Sequence, residues 1–409
     1  MKEISYPTWI DSIPVNSGLF SQTQILAREQ LKTNGIPKKS FEAWRLTNSA
    51  LLTEFIKHPL CSNNQKLKLN NIADSRKSSV KLSFNSEGRF EANIGKGIEK
   101  LNEKEINLYL SENATSRKNN YDFNKTINEA SNNQLIGFRV KGKEKKSLEI
   151  DIQASLNELI PTRLIIIVEE GSNIDILQII EGSKSVSHSH IIEIHVGDSA
   201  TVKHGIVSIG KDSSKLLASI FVKQKKHSSY SLSCIQKGWS MSRFEKEIVQ
   251  LYGNAKTMIQ GLQIAKQKQE LATHSLVKFN GPNGYLEQIQ KSILDDESHS
   301  IFQGMIEVPK IAQKTEASQL SKNLLLSSKA KVDTSPQLKI IADDVKCNHG
   351  ATISQLSNEE IFYLQSRGIN TKQANELLIN AFCNDIINNV PIEVNQSACQ
   401  THLANLTEK

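Results

Sequence analysis

The segment Asp343–Gly350 reads Asp-Asp-Val-Lys-Cys-Asn-His-Gly and carries the residue types in this sequence that are best suited to chemistry. If the segment is extended, Cys347 and His349 lie on the same side, because side chains repeat every two residues along a strand. A thiolate beside an imidazole suits sulfur transfer or the binding of iron or zinc. Two protein ligands are too few for a closed site, so a metal here would need ligands from a partner.

The same residues also have a structural interpretation, which the sequence leaves open. Cys347 would then be a small core residue and His349 a hydrogen-bonded turn residue. His188 and His190 share a strand face and could bind a metal together, but no cysteine or carboxylate stands beside them. The Asp343–Gly350 segment is therefore the better candidate.

The chain has five cysteines, which are widely spaced and include no CxxC pair. This odd number argues against a secreted disulfide framework and favours a reducing compartment. Cys383 is predicted to pack in the apolar face of a helix. No neighbour that would activate a thiol accompanies Cys61, Cys234 or Cys399.

The composition indicates a cytoplasmic protein without a nucleic-acid or membrane partner. The net charge of +7 is mild for 409 residues, and the basic runs are not interleaved with aromatic residues. Met1 to Gly18 is polar and contains Pro7 and Pro14, so no signal peptide is visible. The longest apolar run, Leu164–Val168, is far too short to span a membrane.

Motifs of the common catalytic sites are missing from the sequence. It has no GxxxxGK[ST] phosphate loop, no GxGxxG after a strand, no GxSxG elbow and no HExxH. We therefore predict that the chain is not an enzyme.

Residues 79–351 show the pattern of a strand-rich core. Leu148–Gln153 and Ile192–Val196 alternate with a period of two, which predicts strands with one buried face, and Leu164–Val168 predicts a strand buried on both faces. The turn glycines Gly171, Gly197, Gly253 and Gly281 are 26, 56 and 28 residues apart. This weak repeat favours a parallel β-helix with one coil per 26–28 residues. A pair of β-sandwiches is the alternative.

The flanking regions are predicted to be helical, over residues 1–78 and 352–409, with a polar, partly helical interruption at about 99–133. A first helix over Leu19–Lys32 should end at Asn34-Gly35, and Trp44 is expected to anchor packing. Ser357 and Glu360 form a capping box for a helix over Asn358–Arg367 that Gly368 ends. Thr371 could cap a second helix with the apolar stripe Ala374, Leu377, Leu378, Ala381, Phe382 and Ile386. The fold class is thus mainly β, with a parallel β-helix core between α-helical regions.

Three segments together resemble the SufB/SufD family of iron–sulfur cluster assembly proteins. They are Asp343–Thr352 with Phe362–Ile369; Phe302-Gln303-Gly304 with Ala312, Thr315, Ala317, Gln319 and Leu325-Leu326-Ser327; and Gly35-Ile36-Pro37 with Glu42, Trp44, Arg45 and Thr47. The resemblance is to the SufD branch. SufB members typically read Val-Glu-His-Glu-Ala in place of Lys346–Ala351, and they carry a cysteine in the region that is Leu320–Ser327 here. The chain is also shorter than is usual for SufB, and it has the amino-terminal helical region expected of SufD.

The resemblance implies a right-handed parallel β-helix that pairs with SufB, and C-terminal helices that dock the SufC ATPase. Phe362, Tyr363, Arg367 and Gly368 belong to those docking helices. It also implies that His349, with Cys347 nearby, contributes to cluster assembly at the interface with SufB. No cofactor would be held stably by this chain alone, and the interface would carry iron or an Fe–S cluster transiently. A homodimer in the absence of SufB is left open.

Two other functions are weighed against this one. A β-helix enzyme acting on polysaccharide would need clustered carboxylates in a cleft, but Asp295-Asp296-Glu297 and Asp343-Asp344 are predicted to be turns. An interaction scaffold without cluster chemistry would differ only in the role of His349.

Overall fold

The computed structural model describes residues 8–11, 15, 19–60, 68–71, 79–84, 90–94, 97–111, 122–131, 135–154 and 157–391. Cys61, Cys399, most of Met1–Gly18 and the end of the predicted C-terminal region lie outside the described residues. None of the described helices is long and apolar enough to cross a membrane.

The described part of the chain forms six helices and twenty strands. The helices are α1 (Ser21–Asn34), α2 (Ser49–Lys57), α3 (Glu103–Ser111), α4 (Phe123–Ala130), α5 (Asn358–Ser366) and α6 (Thr371–Ile387). The first ten strands are β1 (Lys68–Asn71), β2 (Ser79–Phe84), β3 (Phe90–Ile94), β4 (Ile98–Lys100), β5 (Leu135–Val140), β6 (Lys145–Ala154), β7 (Leu159–Val168), β8 (Asn173–Gly182), β9 (Ser187–Val196) and β10 (Thr201–Gly210). The others are β11 (Lys215–Gln224), β12 (Ser229–Lys237), β13 (Met241–Gln250), β14 (Lys256–Ala265), β15 (Glu270–Phe279), β16 (Tyr285–Leu294), β17 (His299–Val308), β18 (Glu316–Leu325), β19 (Lys331–Ile340) and β20 (Lys346–Ser354).

From β5 onward, successive strands alternate between two sheets and build a parallel solenoid. One sheet has eleven strands and ends in β16-β18-β20, and the other has nine and ends in β15-β17-β19. The fold is a β-solenoid of about 8 turns, which confirms the predicted parallel β-helix and excludes the pair of sandwiches. The handedness of the coil stays a prediction.

The turns explain the repeat in the sequence. A coil contains two strands of about ten residues and two short turns, and equivalent turns stack on one another. At one corner Lys184 N donates to Asp212 Oδ2, 28 residues later, and both residues have positive φ of 56°. Each turn is thus pinned to the next coil, so the spacing of turn residues follows the coil length.

Strand β7 is buried on both faces, as its apolar run predicted. Leu164, Ile166 and Val168 point into the solenoid and join its inner core. Ile165 and Ile167 point outward and are covered by Ile106 of α3 and its neighbours. The polar interruption at about 99–133 is therefore useful to the fold, because its helices cover apolar strand faces.

The amino-terminal helices pack on the outer face of the nine-stranded sheet. Trp44, predicted to anchor packing, is buried in this cluster with Phe123 of α4. The guanidinium carbon of Arg243 lies 3.8 Å from the centre of the Trp44 ring, and Arg243 Nη1 donates to Thr47 Oγ1 at 3.0 Å. Two residues of the amino-terminal motif thus hold a buried arginine of the sheet. Strand β1 also lies within residues 1–78, which the sequence predicted to be mainly helical.

Of the two described C-terminal helices, only the second half of α6 is anchored to the solenoid. Cys383, Ile386 and Val390 are buried against the outer face of the eleven-stranded sheet, which supports the packing role predicted for Cys383. α5 has no buried residue. In the first half of α6, Ala374 is buried outside the cluster with the sheet, and Leu377 of the predicted apolar stripe is 49% exposed. The cap of α6 is also Asn370 rather than Thr371, since Asn370 accepts from Gln373 N at 2.9 Å. We call residues 358–377 the C-terminal arm.

A lysine of the sheet holds α6 in place. Lys291 Nζ donates to the two carboxylate oxygens of Asp385, at 2.6 and 2.7 Å, and to the carbonyl oxygen of Phe382 at 2.7 Å. The Lys291 side chain is 8% exposed and that of Asp385 is 50% exposed. The pair therefore has one desolvated and one solvated member.

Because of this asymmetry, the two partners should respond differently to mutation. Asp385→Ala leaves a buried ammonium with one neutral acceptor and should cost about 2 kcal/mol of stability. Lys291→Met keeps most of the apolar stem and leaves a carboxylate that water can solvate, so it should cost less. Thermal unfolding together with hydrogen exchange of the α6 amides measures both effects. Equal losses in the two variants would contradict this account of the pair.

Candidate functional site at the open end of the solenoid

The solenoid ends in two strands that each have a neighbour on one side. Among the described strands, β20 pairs with β18 and β19 pairs with β17, and nothing covers the far side of either. We call β19, β20 and their inward-facing side chains the open end. β20 runs to Ser354, past the predicted boundary at residue 351.

Cys347 and His349 lie on one face of β20, as predicted, and that face is the interior one. In the register of the sheet, Cys347 lies against Ala317 and His349 against Gln319, and both residues of β18 are buried. Since no further coil among the described residues covers this face, Cys347 is half-buried and His349 is exposed. Two residues of the solenoid interior are thus presented to whatever covers the open end.

The backbone of β20 is also free to pair. Lys346 N donates to Thr315 O at 2.9 Å, and N–H directions alternate along a strand. The N–H groups of Cys347 and His349 therefore point away from β18. An unpaired edge of this kind is a template for another strand.

The Cys347 thiol is not activated by its own surroundings. Burial raises its pKa, although a backbone hydrogen bond from Ala317 acts in the opposite direction. The thiol is therefore protonated at neutral pH. Acting as a thiolate ligand would require a metal ion or a positive charge that lowers its pKa.

No group of three or more His, Cys, Asp and Glu residues that could hold a metal ion occurs in the described ranges. Cys347 and His349 would therefore supply two ligands of a set completed from elsewhere.

His188 and His190, the other candidate metal pair, are buried inside the solenoid. His190 Nδ1 is 2.7 Å from Thr162 Oγ1, and its Nε2 accepts from Gln178 Nε2 at 2.9 Å. The other end of the Gln178 amide accepts from His204 Nε2 at 2.7 Å. Both ring nitrogens of His190 are thus engaged in a hydrogen-bonded network of side chains. His188 packs against the Trp239 ring. This hydrogen-bonded network of side chains was not predicted, although its polar residues occupy alternate, inward-facing positions.

The predicted docking residues lie on the C-terminal arm. Phe362 is 72% exposed and Tyr363 is 58% exposed. Arg367 Cζ lies 5.4 Å from the centre of the Tyr363 ring, and Gly368 has the positive φ of 85° that follows the end of α5. The arm therefore presents two large apolar side chains that this chain leaves uncovered.

The two acidic runs considered for a polysaccharide enzyme belong to turns. Asp296 has φ of 54° and accepts from Gln267 N at 3.0 Å across adjacent coils. Asp344 N donates to Gln313 Oε1 at 2.9 Å in the turn between β19 and β20. Both runs therefore lie in turns, as the sequence predicted.

Comparison with known proteins identifies the family. The profile described as "SUF system FeS cluster assembly, SufBD core domain" matches residues 151–382, which is more than half of the chain and includes the solenoid from β7 onward. The chain belongs to the SufBD family. It is therefore a protein of the SUF system of iron–sulfur cluster assembly.

Three known proteins are similar to this chain over part of their length. An iron–sulfur cluster assembly SufBD family protein of Synechocystis is 36% identical over 57% of this chain and 54% of its own length. Protein ABCI7, chloroplastic, of Arabidopsis thaliana is 32% identical over 60% of this chain and 52% of its own. The iron–sulfur cluster assembly protein SufD of Escherichia coli is 39% identical over 34% of this chain and 33% of its own. The matched region thus spans about half or less of these relatives.

Proposed function

We propose that this chain is a SufD-type scaffold subunit, which pairs with a SufB-type partner through its open end and holds a SufC-type ATPase on its C-terminal arm. The observation that carries this proposal is the position of His349 and Cys347 on an uncovered inner face, beside an unpaired strand edge. A partner strand added to β20 would bring its own side chains directly over both residues.

The proposed chemistry follows from the two side chains. A neutral imidazole is a suitable iron ligand, and a cysteine can ligate a nascent cluster once a metal displaces its proton. Sulfur and the remaining ligands would come from the SufB-type partner. Iron and the growing cluster are cargo here, so the chain itself needs no resident cofactor.

ATP hydrolysis belongs to the SufC-type subunit in this proposal, and this chain is non-catalytic. Movement of the ATPase would act on the arm and reshape the contact at the open end. In the absence of the SufB-type partner, a second copy of this chain could pair with the same edge.

Co-expression with SufB-type and SufC-type proteins, followed by anaerobic cluster reconstitution, tests the proposal. We expect a complex of all three proteins that accumulates a cluster with the absorption of an Fe–S chromophore. Recovery of this chain alone, or of a complex whose cluster forms equally well without it, would contradict the scaffold role.

The docking site should be sensitive to loss of the exposed aromatics on the arm. We expect Phe362→Ser with Tyr363→Ser to weaken SufC binding by roughly thirtyfold or more, because buried aromatic anchors dominate interface energies. Calorimetry with the purified ATPase measures the change. Leu108→Ser, an equally exposed apolar site on α3, is the matched control and should bind normally.

Deleting residues 353–409 is a poorer test of docking than the double serine variant. The deletion would also remove Cys383, Ile386 and Val390 from the sheet and expose the apolar face beneath them, so a loss of binding could not be assigned to the arm. Normal SufC binding by the double serine variant would place the docking site elsewhere.

A further inference from the structure

A buried glutamine lies directly beneath His349. Gln319 is 1% exposed, and its Nε2 donates to Gln288 Oε1 at 2.8 Å. Gln288 Nε2 in turn donates to Ser275 Oγ at 2.8 Å. These two consecutive hydrogen bonds orient both amide groups, so the amide nitrogen of Gln319 points to the preceding coil.

The oxygen of the same amide accepts no hydrogen bond from the described residues. Within the described part of the chain, Gln319 Oε1 is buried and has no hydrogen-bond partner. Buried polar atoms are nearly always paired, so such an acceptor calls for a donor that arrives in the functional state.

The position of this amide is built into the fold. A Cβ atom at Gly304 would lie 2.3 Å from Gln319 Nε2 and 2.8 Å from its Oε1. Only glycine leaves room for the amide at this point. Pro336, the register partner of Gly304 on the neighbouring strand β19, has no backbone N–H that could donate to the amide oxygen.

His349 is the residue that can supply the donor. It is the register partner of Gln319 on the next strand, and neighbouring strands lie about 4.8 Å apart. Thr334 Oγ1 of β19 donates to Ser321 Oγ at 2.9 Å and is therefore already engaged. The free oxygen and the imidazole therefore share one face of the open end.

We propose that Gln319 is a positioning residue for His349, whose ring N–H it accepts while the other ring nitrogen binds iron. This inference rests on the proposed function. When one ring nitrogen of a histidine binds a metal, the N–H group of the other usually donates a hydrogen bond to an acceptor. This hydrogen bond selects the tautomer and the orientation of the ring. Gln319 Oε1 is such an acceptor, held in place from below by Gln288.

Binding of Fe²⁺ alone, measured anaerobically in the complex with the SufB-type and SufC-type partners, tests the proposal. Gln319→Met keeps the length of the side chain but removes the acceptor, and it should weaken Fe²⁺ binding by about tenfold. Gln319→Glu keeps an acceptor for His349 but loses the donor to Gln288, so it should bind Fe²⁺ more tightly than Gln319→Met and less tightly than the unchanged protein. In a His349→Ala background, Gln319→Met should have no further effect, because it acts through the imidazole.

Three results would count against the inference. Normal Fe²⁺ binding by Gln319→Met overturns it, and so does a full additional loss in the His349→Ala background. If His349→Ala itself binds Fe²⁺ normally, the proposed role of the open end fails, and the inference falls with it.

Nitrogen-15 NMR of histidine-labelled complex with Zn²⁺ gives an independent reading in the unmutated protein. It should show a hydrogen-bonded, slowly exchanging ring N–H on His349. A rapidly exchanging ring proton would overturn the inference even if the Gln319 variants failed to fold.

Discussion

At pH 5 the solenoid should be less stable than at pH 7 by on the order of 7 kcal/mol, which is comparable to the whole stability of many domains. The main cause is a set of four histidines buried in the neutral form. Burial lowers the pKa of His190, His204 and His274 to about 3, and that of His188 to about 4. The partly exposed His195 has its pKa lowered to about 4 as well and adds to the loss. Their ordinary value is 6.5.

The loss of stability at acid pH follows from the lowered pKa values of the folded state. The unfolded chain takes up protons on these histidines below about pH 6.5, while the folded chain takes them up only near pH 3 to 4. Their stabilising effect is complete above the unfolded pKa and is lost as the pH falls through the window between the two values. Each histidine should contribute a loss of about 2 kcal/mol between pH 7 and pH 5.

His299 works in the opposite direction. Burial alone would lower its pKa, but hydrogen bonds to Glu270 and Asp333 outweigh burial and raise it. The stability it adds is complete below the unfolded pKa and disappears as the pH rises through the folded one. One partly exposed group cannot offset four buried histidines.

Denaturant unfolding followed by circular dichroism at several pH values measures this effect. His204→Gln removes one of the five titrating histidines, and it should reduce the slope of stability against pH by about a fifth. His349→Gln makes the same substitution at an exposed histidine and is the matched control for the mutation itself. Constant stability from pH 7 to pH 5 would show that the buried histidines take up protons without unfolding.

Replacing His349 by alanine should reduce cluster yield by roughly tenfold or more in the complex, because a ligand of the nascent cluster is lost. The same change should leave folding almost untouched. His349 is exposed at the end of the solenoid, and exposed substitutions usually alter stability by less than about 0.5 kcal/mol. Anaerobic reconstitution and thermal unfolding of one preparation separate the two effects.

Two neighbours serve as references for this variant. Asn348→Ala changes an exposed residue of the same strand on the opposite face, and it should assemble clusters normally. Cys347→Ser keeps the shape but loses the soft ligand, and it should have a smaller effect than His349→Ala. If His349→Ala unfolds the chain, or assembles clusters like Asn348→Ala, the histidine has a structural role only.

The strand pattern and the repeat were readable from the sequence because both are local. Each ten-residue strand shows its burial in consecutive side chains, so Leu164–Val168 could be recognised as a strand covered on both faces. The coil length was visible because equivalent turns recur at nearly constant spacing. The capping box at Ser357 is also local, and Ser357 Oγ accepts from Glu360 N at 3.2 Å.

Burial of the C-terminal helices depended instead on what lies next to them. The stripe of α6 predicts a buried face along its whole length, but the sheet reaches only its second half, so Cys383 is buried and Leu377 is not. A periodic pattern says which side of a helix is apolar. It cannot say how far the neighbouring surface extends.

The candidate site shows the same division. Spacing alone put Cys347 and His349 on one face of a strand, but it could not distinguish the interior face from the outer one, or a covered end from an open one. The pairing of Gln319 with His349, and the chain through Gln178 that joins His190 to His204, connect residues on different strands. Such contacts depend on the register between coils, which is set by the stacking of the whole solenoid.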